Sequence, residues 1–146
     1  MFGTREGDER FGYDVDVARA VASRLGVEPV FIRVKAATRI VLLDEDKIDV
    51  VLATMGHNTQ RDGQARFIRP HYYQSETVLI GPKELKVAGW KDIAGHSICV
   101  TIGNGSNAQM ISHQARLMLF EEATVLPVRL ADETCMLAAQ DNSFFA

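Results

Sequence analysis

The chain has little cysteine: Cys99 and Cys135 stand far apart in 146 residues and form no C-x-x-C pair. That excludes a disulfide-rich scaffold and leaves the redox compartment open. Histidine is as sparse. His57, His71, His96 and His113 are scattered singly, so no spacing brings two of them to one metal, and neither a metal site nor a cofactor is expected. Charge of one sign is also lacking: 16 Lys and Arg stand against 19 Asp and Glu, a net charge of −3, with the basic residues dispersed among acidic ones. Nucleic acid, which selects a clustered basic face, is not an expected partner. No apolar run reaches the ~18–20 residues of a membrane span. The first ten residues are charged and glycine-bearing where a signal peptide carries an apolar stretch, so the chain as given is expected to be soluble and without a signal peptide. What is present is ordinary for a folded domain, with 47% apolar and 24% charged residues. A chain near this length buries roughly 68–70% of its unfolded surface, enough for a core in one domain or two small ones.

Helix and strand patterns alternate along the sequence. Asp14 precedes Val15, Ala18, Ala22 and Leu25, spaced as on one helix face, and Gly26 is placed as a stop. Val30–Val34 reads as a strand, Ala36–Lys47 as a helix through Ile40 and Leu43, and Ile48–Ala53 as a strand buried on both faces. That β-α-β order predicts a parallel sheet. A polar stretch follows, then a long extended segment over Tyr72–Ile80 ending at Gly81-Pro82. From Gly89 the pattern restarts: strand Ser97–Ile102, a glycine turn, helix Ser106–Leu119, strand Thr124–Leu130 and helix Asp132–Gln140. Pro127 lacks the N–H of a central strand, so that strand is expected at an edge or interrupted. The reading is two α/β lobes joined by the Tyr72–Ile80 segment: a first lobe over 1–78, a connection over 79–88 and a second lobe over 89–146.

Two stretches carry chemistry. Thr54-Met55-Gly56-His57-Asn58-Thr59-Gln60-Arg61 follows directly on the run Ile48–Ala53. In open parallel sheets ligands bind beyond the carboxyl ends of strands. Asn58 can cap a short helical turn, and Arg61 can point its planar fork back toward the strand end, suited to a carboxylate. The same spacing also fits a surface turn with a solvated arginine. The second stretch is Gly103-Asn104-Gly105-Ser106-Asn107, between a strand and a helix, where the N–H groups of Ser106 and Asn107 would be free for an anion. With Ala108 it fits G-x-G-x-x-A, the dinucleotide fingerprint. The acidic residue expected about 20 positions on has no good counterpart, since Glu121 and Glu122 precede the next strand and Asp132 lies too far along. A plain strand-to-helix turn is the remaining reading.

Taken in order, these residues resemble the bacterial extracellular solute-binding proteins of the polar-amino-acid type, the receptors of ABC importers. The resemblance rests on Gly12-Tyr13-Asp14-Val15-Asp16-Val17-Ala18, Lys47-Ile48-Asp49-Val50-Val51-Leu52-Ala53-Thr54, Arg61, Pro70-His71-Tyr72-Tyr73, Trp90-Lys91-Asp92-Ile93-Ala94-Gly95 and Gly105-Ser106-Asn107. It covers about residues 11 to 140. It implies an α/β fold of the type II periplasmic-binding-protein class, two lobes with mostly parallel sheets flanked by helices, here incomplete. It also implies non-catalytic binding of a carboxylate-bearing solute, an amino acid, in a cleft between the lobes, a periplasmic or extracellular location, and an ABC membrane permease as partner.

The resemblance assigns roles position by position. Arg61 would clamp the ligand α-carboxylate, Thr54 and Gly56 would complete the first lobe's contacts, and Gly105, Ser106 and Asn107 would present N–H groups from the second lobe. Phe2 would be the remnant of an aromatic site. Departures from the pattern are Ala36 where an aromatic residue is expected, Gly56 where Ser or Thr is common, Asn58-Thr59-Gln60-Arg61 for the usual T-P-E-R, and His71 for the first of two tyrosines. The family's first strand would precede Met1. Its closing segment, with the acidic residue for the ligand ammonium, would follow Ala146, so the resemblance assigns no residue of this chain to that role. Two alternatives stand beside the receptor reading. One is a cyclohexadienyl dehydratase acting on prephenate or arogenate, which the same fold resembles but for which no clear general acid is evident. The other is a fragment that binds nothing and persists as a strand-swapped homodimer through unpaired sheet edges.

Overall fold

A computed structural model describes residues 3–145 of the chain. They form two compact units. One comprises the chain up to Val34 and resumes over Thr38–Tyr73; the other takes Gln74 onward together with Lys35–Ala37. Among the described residues no helix is long and apolar enough to cross a membrane.

In the first unit, strands β1 (Thr4–Glu6) and β2 (Glu9–Phe11) pair as an antiparallel hairpin. Helix α1 (Tyr13–Leu25) follows and buries Asp14, Val15 and Ala22. Its cap is Gly12 rather than Asp14, which lies inside the first turn, where a negative charge still suits the positive end of the helix. The stop is as expected. Gly26 takes φ 69°, and its N–H reaches the carbonyls of Ala22 and Ser23, a left-handed cap that glycine adopts without a Cβ penalty. The helix expected over Ala36–Lys47 is shorter, α2 (Arg39–Asp44), and a single turn, α3 (Thr59–Asp62), follows.

Neither strand expected in this unit forms. Val30–Val34 and Ile48–Ala53 carry no ladder; Val30 is 87% exposed, and the second segment is not buried on both faces, since Val50 is 58% exposed. β-branched side chains favour an extended backbone, but a strand exists only when its N–H and C=O groups meet a partner. Among the described residues neither segment is paired with another strand.

The second unit holds the parallel sheet. Strands β3 (Thr77–Ile80), β4 (Ser97–Thr101), β5 (Arg116–Phe120) and β6 (Leu137–Asp141) lie in the order β3-β6-β4-β5. β4 runs parallel to both β5 and β6, while β3 is antiparallel to β6 at the edge. The long extended segment expected over Tyr72–Ile80 thus becomes a strand only in its last four residues, as part of this sheet. β4 is the strand buried on both faces. Ile98 and Val100 point to one side, packed with Met110 of helix α4 (Asn107–Ser112), Ile93, Leu137 and Ala139. Cys99 points to the other, with Leu126 of helix α5 (Leu126–Ala131), Cys135 and Ala138. A disulfide joins Cys99 to Cys135, their Cα atoms 5.7 Å apart.

From Arg116 onward the expected elements are exchanged. The helix over Ser106–Leu119 stops at Ser112, and Arg116–Phe120 is β5; Thr124–Leu130 is not a strand but a turn leading into α5; the helix over Asp132–Gln140 is replaced by β6. Pro127 explains the middle exchange. It sits in the first turn of α5, where a helix leaves N–H groups unused and a fixed φ is already suitable.

Candidate functional site

In the first unit the residues between Ala53 and Arg61 are held by side chains from three directions. Asn58 caps α3 as its sequence position suggests: its Oδ1 accepts the Arg61 N–H at 2.9 Å. That cap turns the Arg61 side chain inward, where it is only 8% exposed, and its Nη1 donates to the Gly56 carbonyl at 2.6 Å. Gly56 and Arg61 are therefore brought together, and the reading of a solvated surface arginine is set aside. Behind them, Arg39 Nη1 donates to the Ala53 carbonyl at 2.8 Å. Thr54 itself takes φ 47°, a left-handed conformation that costs a β-branched residue about 1–3 kcal/mol. At the outer edge of α3, His57 Nε2 lies 2.7 Å from Asp62 Oδ1, and its ring meets the edge of Phe67.

The ionisable groups beneath this segment are perturbed. The Tyr72 hydroxyl donates to Asp14 Oδ1 at 2.9 Å, and the Tyr13 hydroxyl donates to the Tyr72 carbonyl at 2.7 Å. Burial pushes the Asp14 carboxyl above its ordinary value of 3.8, against the hydrogen bond from Tyr72 and the Arg39 charge. Burial, and then the Asp14 carboxylate, push the Tyr72 phenol up as well, so it stays a donor at any ordinary pH. The sign for stability follows. Between the ordinary carboxylate value and the raised one, folded Asp14 keeps a proton that the unfolded chain has released, so its contribution falls as pH rises through that window and is level above it. Asp14→Asn is expected to remove this slope and to stabilise the fold at neutral pH relative to wild type, while Oδ1 of the new amide still accepts from Tyr72. Denaturant midpoints of the two proteins across the acid range check this; parallel curves would contradict it.

In the second unit the glycine turn follows β4. Gly103 has φ 79°, and a Cβ there would lie 2.7 Å from the Ala36 carbonyl oxygen. Gly103→Ala is expected to destabilise the unit by about 1–3 kcal/mol, read as a lower melting temperature. An unchanged melting temperature would show that the Ala36 backbone gives way without cost. Contrary to expectation, the amides of Ser106 and Asn107 are not free. Asn104 Oδ1 accepts both the Ser106 N–H at 3.0 Å and the Ser106 hydroxyl at 2.9 Å, and the Asn104 carbonyl accepts the Asn107 N–H at 3.3 Å. Asn107 donates its side-chain amide to the Thr101 carbonyl at 2.9 Å, leaving its Oδ1 buried and without a hydrogen-bond partner. The polar Asn104 side chain thus stands at the donors where an anion would be received.

Sequence reasoning missed Gln140 and Asp141. Read as the end of a helix, they have no evident place; as the end of β6 they come to the carboxyl edge of the parallel sheet beside β4. Gln140 Oε1 accepts from Asn104 Nδ2 at 3.0 Å, which places Asp141 next to the glycine turn's support. The available signal was the short apolar run Leu137-Ala138-Ala139 closed by two polar residues, the mark of a buried strand. Gly105, Ser106 and Asn107 are together in this turn, whereas Phe2 lies outside the described residues.

The family described as bacterial extracellular solute-binding proteins, family 3, matches residues 2–143. An arginine-binding extracellular protein, ArtP, from Bacillus subtilis (strain 168) is 28% identical over 103 residues, which are 70% of this chain and 40% of that protein. The chain spans about 40% of the length of the curated relatives it matches. Among solved structures, an ancestral arginine-binding protein bound to glutamine superposes with a TM-score of 0.85 at 25% identity, over 97% of this chain and 64% of that one. An ancestral amino acid-binding protein, a precursor of cyclohexadienyl dehydratase, gives a TM-score of 0.84 over 96% of this chain and 64% of its own, and at 21% identity it speaks for the fold alone. The α/β architecture with a mostly parallel sheet is that of the type II periplasmic binding proteins, of which this chain covers a part. The chain belongs to the bacterial extracellular solute-binding proteins of family 3.

Proposed function

We propose that the chain is part of a receptor that binds an amino acid without transforming it, with the α-carboxylate on Arg61. The observation that carries this is the buried Arg61 guanidinium, held by the Asn58 cap and the Gly56 carbonyl so that its planar fork is fixed before a ligand arrives. A preorganised, desolvated guanidinium is the side chain best suited to a carboxylate, because both N–H groups meet both oxygens. Thr54 and Gly56 supply further contacts from the same unit. In the second unit this reading assigns Gly105, Ser106 and Asn107 as donors, the Ser106 N–H and hydroxyl once a carboxylate takes over from Asn104 Oδ1 and the Asn107 N–H once it takes over from the Asn104 carbonyl. Asp141, at the carboxyl end of β6, is the acidic group this reading assigns to the ligand ammonium.

The aromatic position Phe2, an extracellular or periplasmic setting and delivery of the ligand to a membrane permease belong to the same proposal. The buried disulfide is in keeping with that setting, since disulfides persist in oxidising compartments. The exposed apolar segments at Val30, Ile32 and Val50 favour one further state, a homodimer in which a strand from a second copy supplies the missing ladder. Calorimetric titration with the twenty L-amino acids tests the binding reading, with one or more giving a saturable heat. Silence across the whole set, with phenylpyruvate released from prephenate, would replace the receptor by the dehydratase.

A further inference from the structure

The donors that the carboxylate reading places in the glycine turn are all held by one residue. Asn104 Oδ1 accepts the Ser106 N–H at 3.0 Å and the Ser106 hydroxyl at 2.9 Å, and the Asn104 carbonyl accepts the Asn107 N–H at 3.3 Å. The side-chain oxygen thus makes the contacts a carboxylate oxygen would make. Asn104 is held by more than its neighbours in the turn. Its Nδ2 donates to Gln140 Oε1 at 3.0 Å, 36 positions along the chain on β6. Gln140 Nε2 donates in turn to Thr101 Oγ1, 3.3 Å away at the end of β4. Closing the turn uses only the oxygen of the Asn104 amide; the Gln140 contact fixes its nitrogen, so the whole group is clamped against the ends of two neighbouring strands.

We propose that Asn104 is a built-in competitor for the ligand carboxylate: its side-chain oxygen fills the Ser106 donors, Gln140 clamps it there, and a ligand binds by displacing it. The inference rests on the assignment of the Ser106 donors to the carboxylate and adds what regulates them. Displacement is favourable at the donors, because charge-assisted hydrogen bonds are roughly twice as strong as neutral ones. It leaves no partner stranded on β6 either. Gln140 Oε1 also accepts the Asp141 N–H at 3.1 Å, and Asn104 is partly exposed, so its amide can turn to water. Apparent affinity is then the intrinsic affinity multiplied by the fraction of molecules in which Asn104 has already left the donors. The consequence has a distinctive sign: truncating Asn104 strengthens binding, whereas truncating a mere support of the site weakens it.

Calorimetric titration of wild type and Asn104→Ala with the twenty L-amino acids, L-arginine among them, tests this together with amide hydrogen exchange on both unliganded proteins. Asn104→Ala is expected to speed exchange at Ser106 while Val100 in β4 is unchanged, and to lower the dissociation constant of the bound amino acid by about tenfold. Asn104→Asp keeps an oxygen on both Ser106 donors and strengthens those bonds with a charge, so it is expected to raise the dissociation constant by about the same factor. Gln140→Leu unclamps Asn104 but leaves it in place; it is expected to tighten binding by a smaller factor, and it stands in if Asn104→Ala does not fold. Heat from Asn104→Ala where wild type is silent supports the proposal in its extreme form. Affinity in Asn104→Ala equal to or weaker than that of wild type, or wild-type exchange at Ser106 in that variant, overturns the proposal and leaves the carboxylate reading standing. Silence from every amino acid with both proteins overturns the carboxylate reading, and this inference with it.

Discussion

Arg61→Ala is expected to weaken amino-acid binding by about 3 kcal/mol, roughly a hundredfold, because a charge-assisted bidentate contact in a desolvated site is lost. The loss is compounded locally. The Asn58 cap uses the Arg61 backbone N–H and survives the substitution, but the Gly56 carbonyl loses its donor. Arg61→Lys tests the geometry against the charge. A lysine supplies a point charge without the planar fork, so it is expected to recover only part of the affinity. Calorimetry on the three proteins with any amino acid that binds wild type makes the comparison. Equal affinity in Arg61→Ala would mean that the carboxylate lies elsewhere.

The second large effect is on stability. Cys99 sits in β4 and Cys135 just before β6, so their disulfide closes a loop with a sequence separation of 36 across the centre of the parallel sheet. Chain entropy alone gives such a link about 4 kcal/mol, a large share of the ~5–15 kcal/mol that holds a domain together. Both cysteines are buried, so reduction also leaves two thiols in the cluster with Leu126 and Ala138. Denaturant unfolding with and without a strong reductant is expected to show the midpoint falling in the reduced protein, and the Cys99→Ala, Cys135→Ala double variant to match the reduced protein. An unchanged midpoint, with free thiols confirmed by labelling, would contradict it.

What could be read from the sequence was set by local signals. The α1 helix with Gly26 behind it, the apolar run of β4 and the Asn58 cap before Arg61 each depend on neighbours within one turn or one strand, and each stands in the structure, although Leu25 of the expected apolar face is 71% exposed. The errors concern groups whose partners are distant. Arg116-Leu117-Met118-Leu119-Phe120 has residues that favour helices, yet it becomes β5 because the edge of β4 offers a parallel ladder. The expected strand at Thr124–Leu130 is rich in β-branched residues, yet Pro127 fits a helix start better than a ladder. Val30–Val34 and Ile48–Ala53 have strand composition without a partner strand among the described residues. The same distinction holds at the candidate site. Arg61 and its cap are four residues of local grammar, while Asn104 occupying the Ser106 donors, Gln140 reaching Asn104, and Tyr72 reaching Asp14 across 58 positions are tertiary facts.

The central claim is that the bound molecule is recognised by its carboxylate. Titrating the wild-type chain with L-arginine and, separately, with agmatine, which keeps the arginine side chain but has no carboxylate, isolates that group. The account predicts saturable heat from L-arginine, or from whichever amino acid of the panel binds, and none from the corresponding amine at the same concentrations. Equal binding of acid and amine would contradict it.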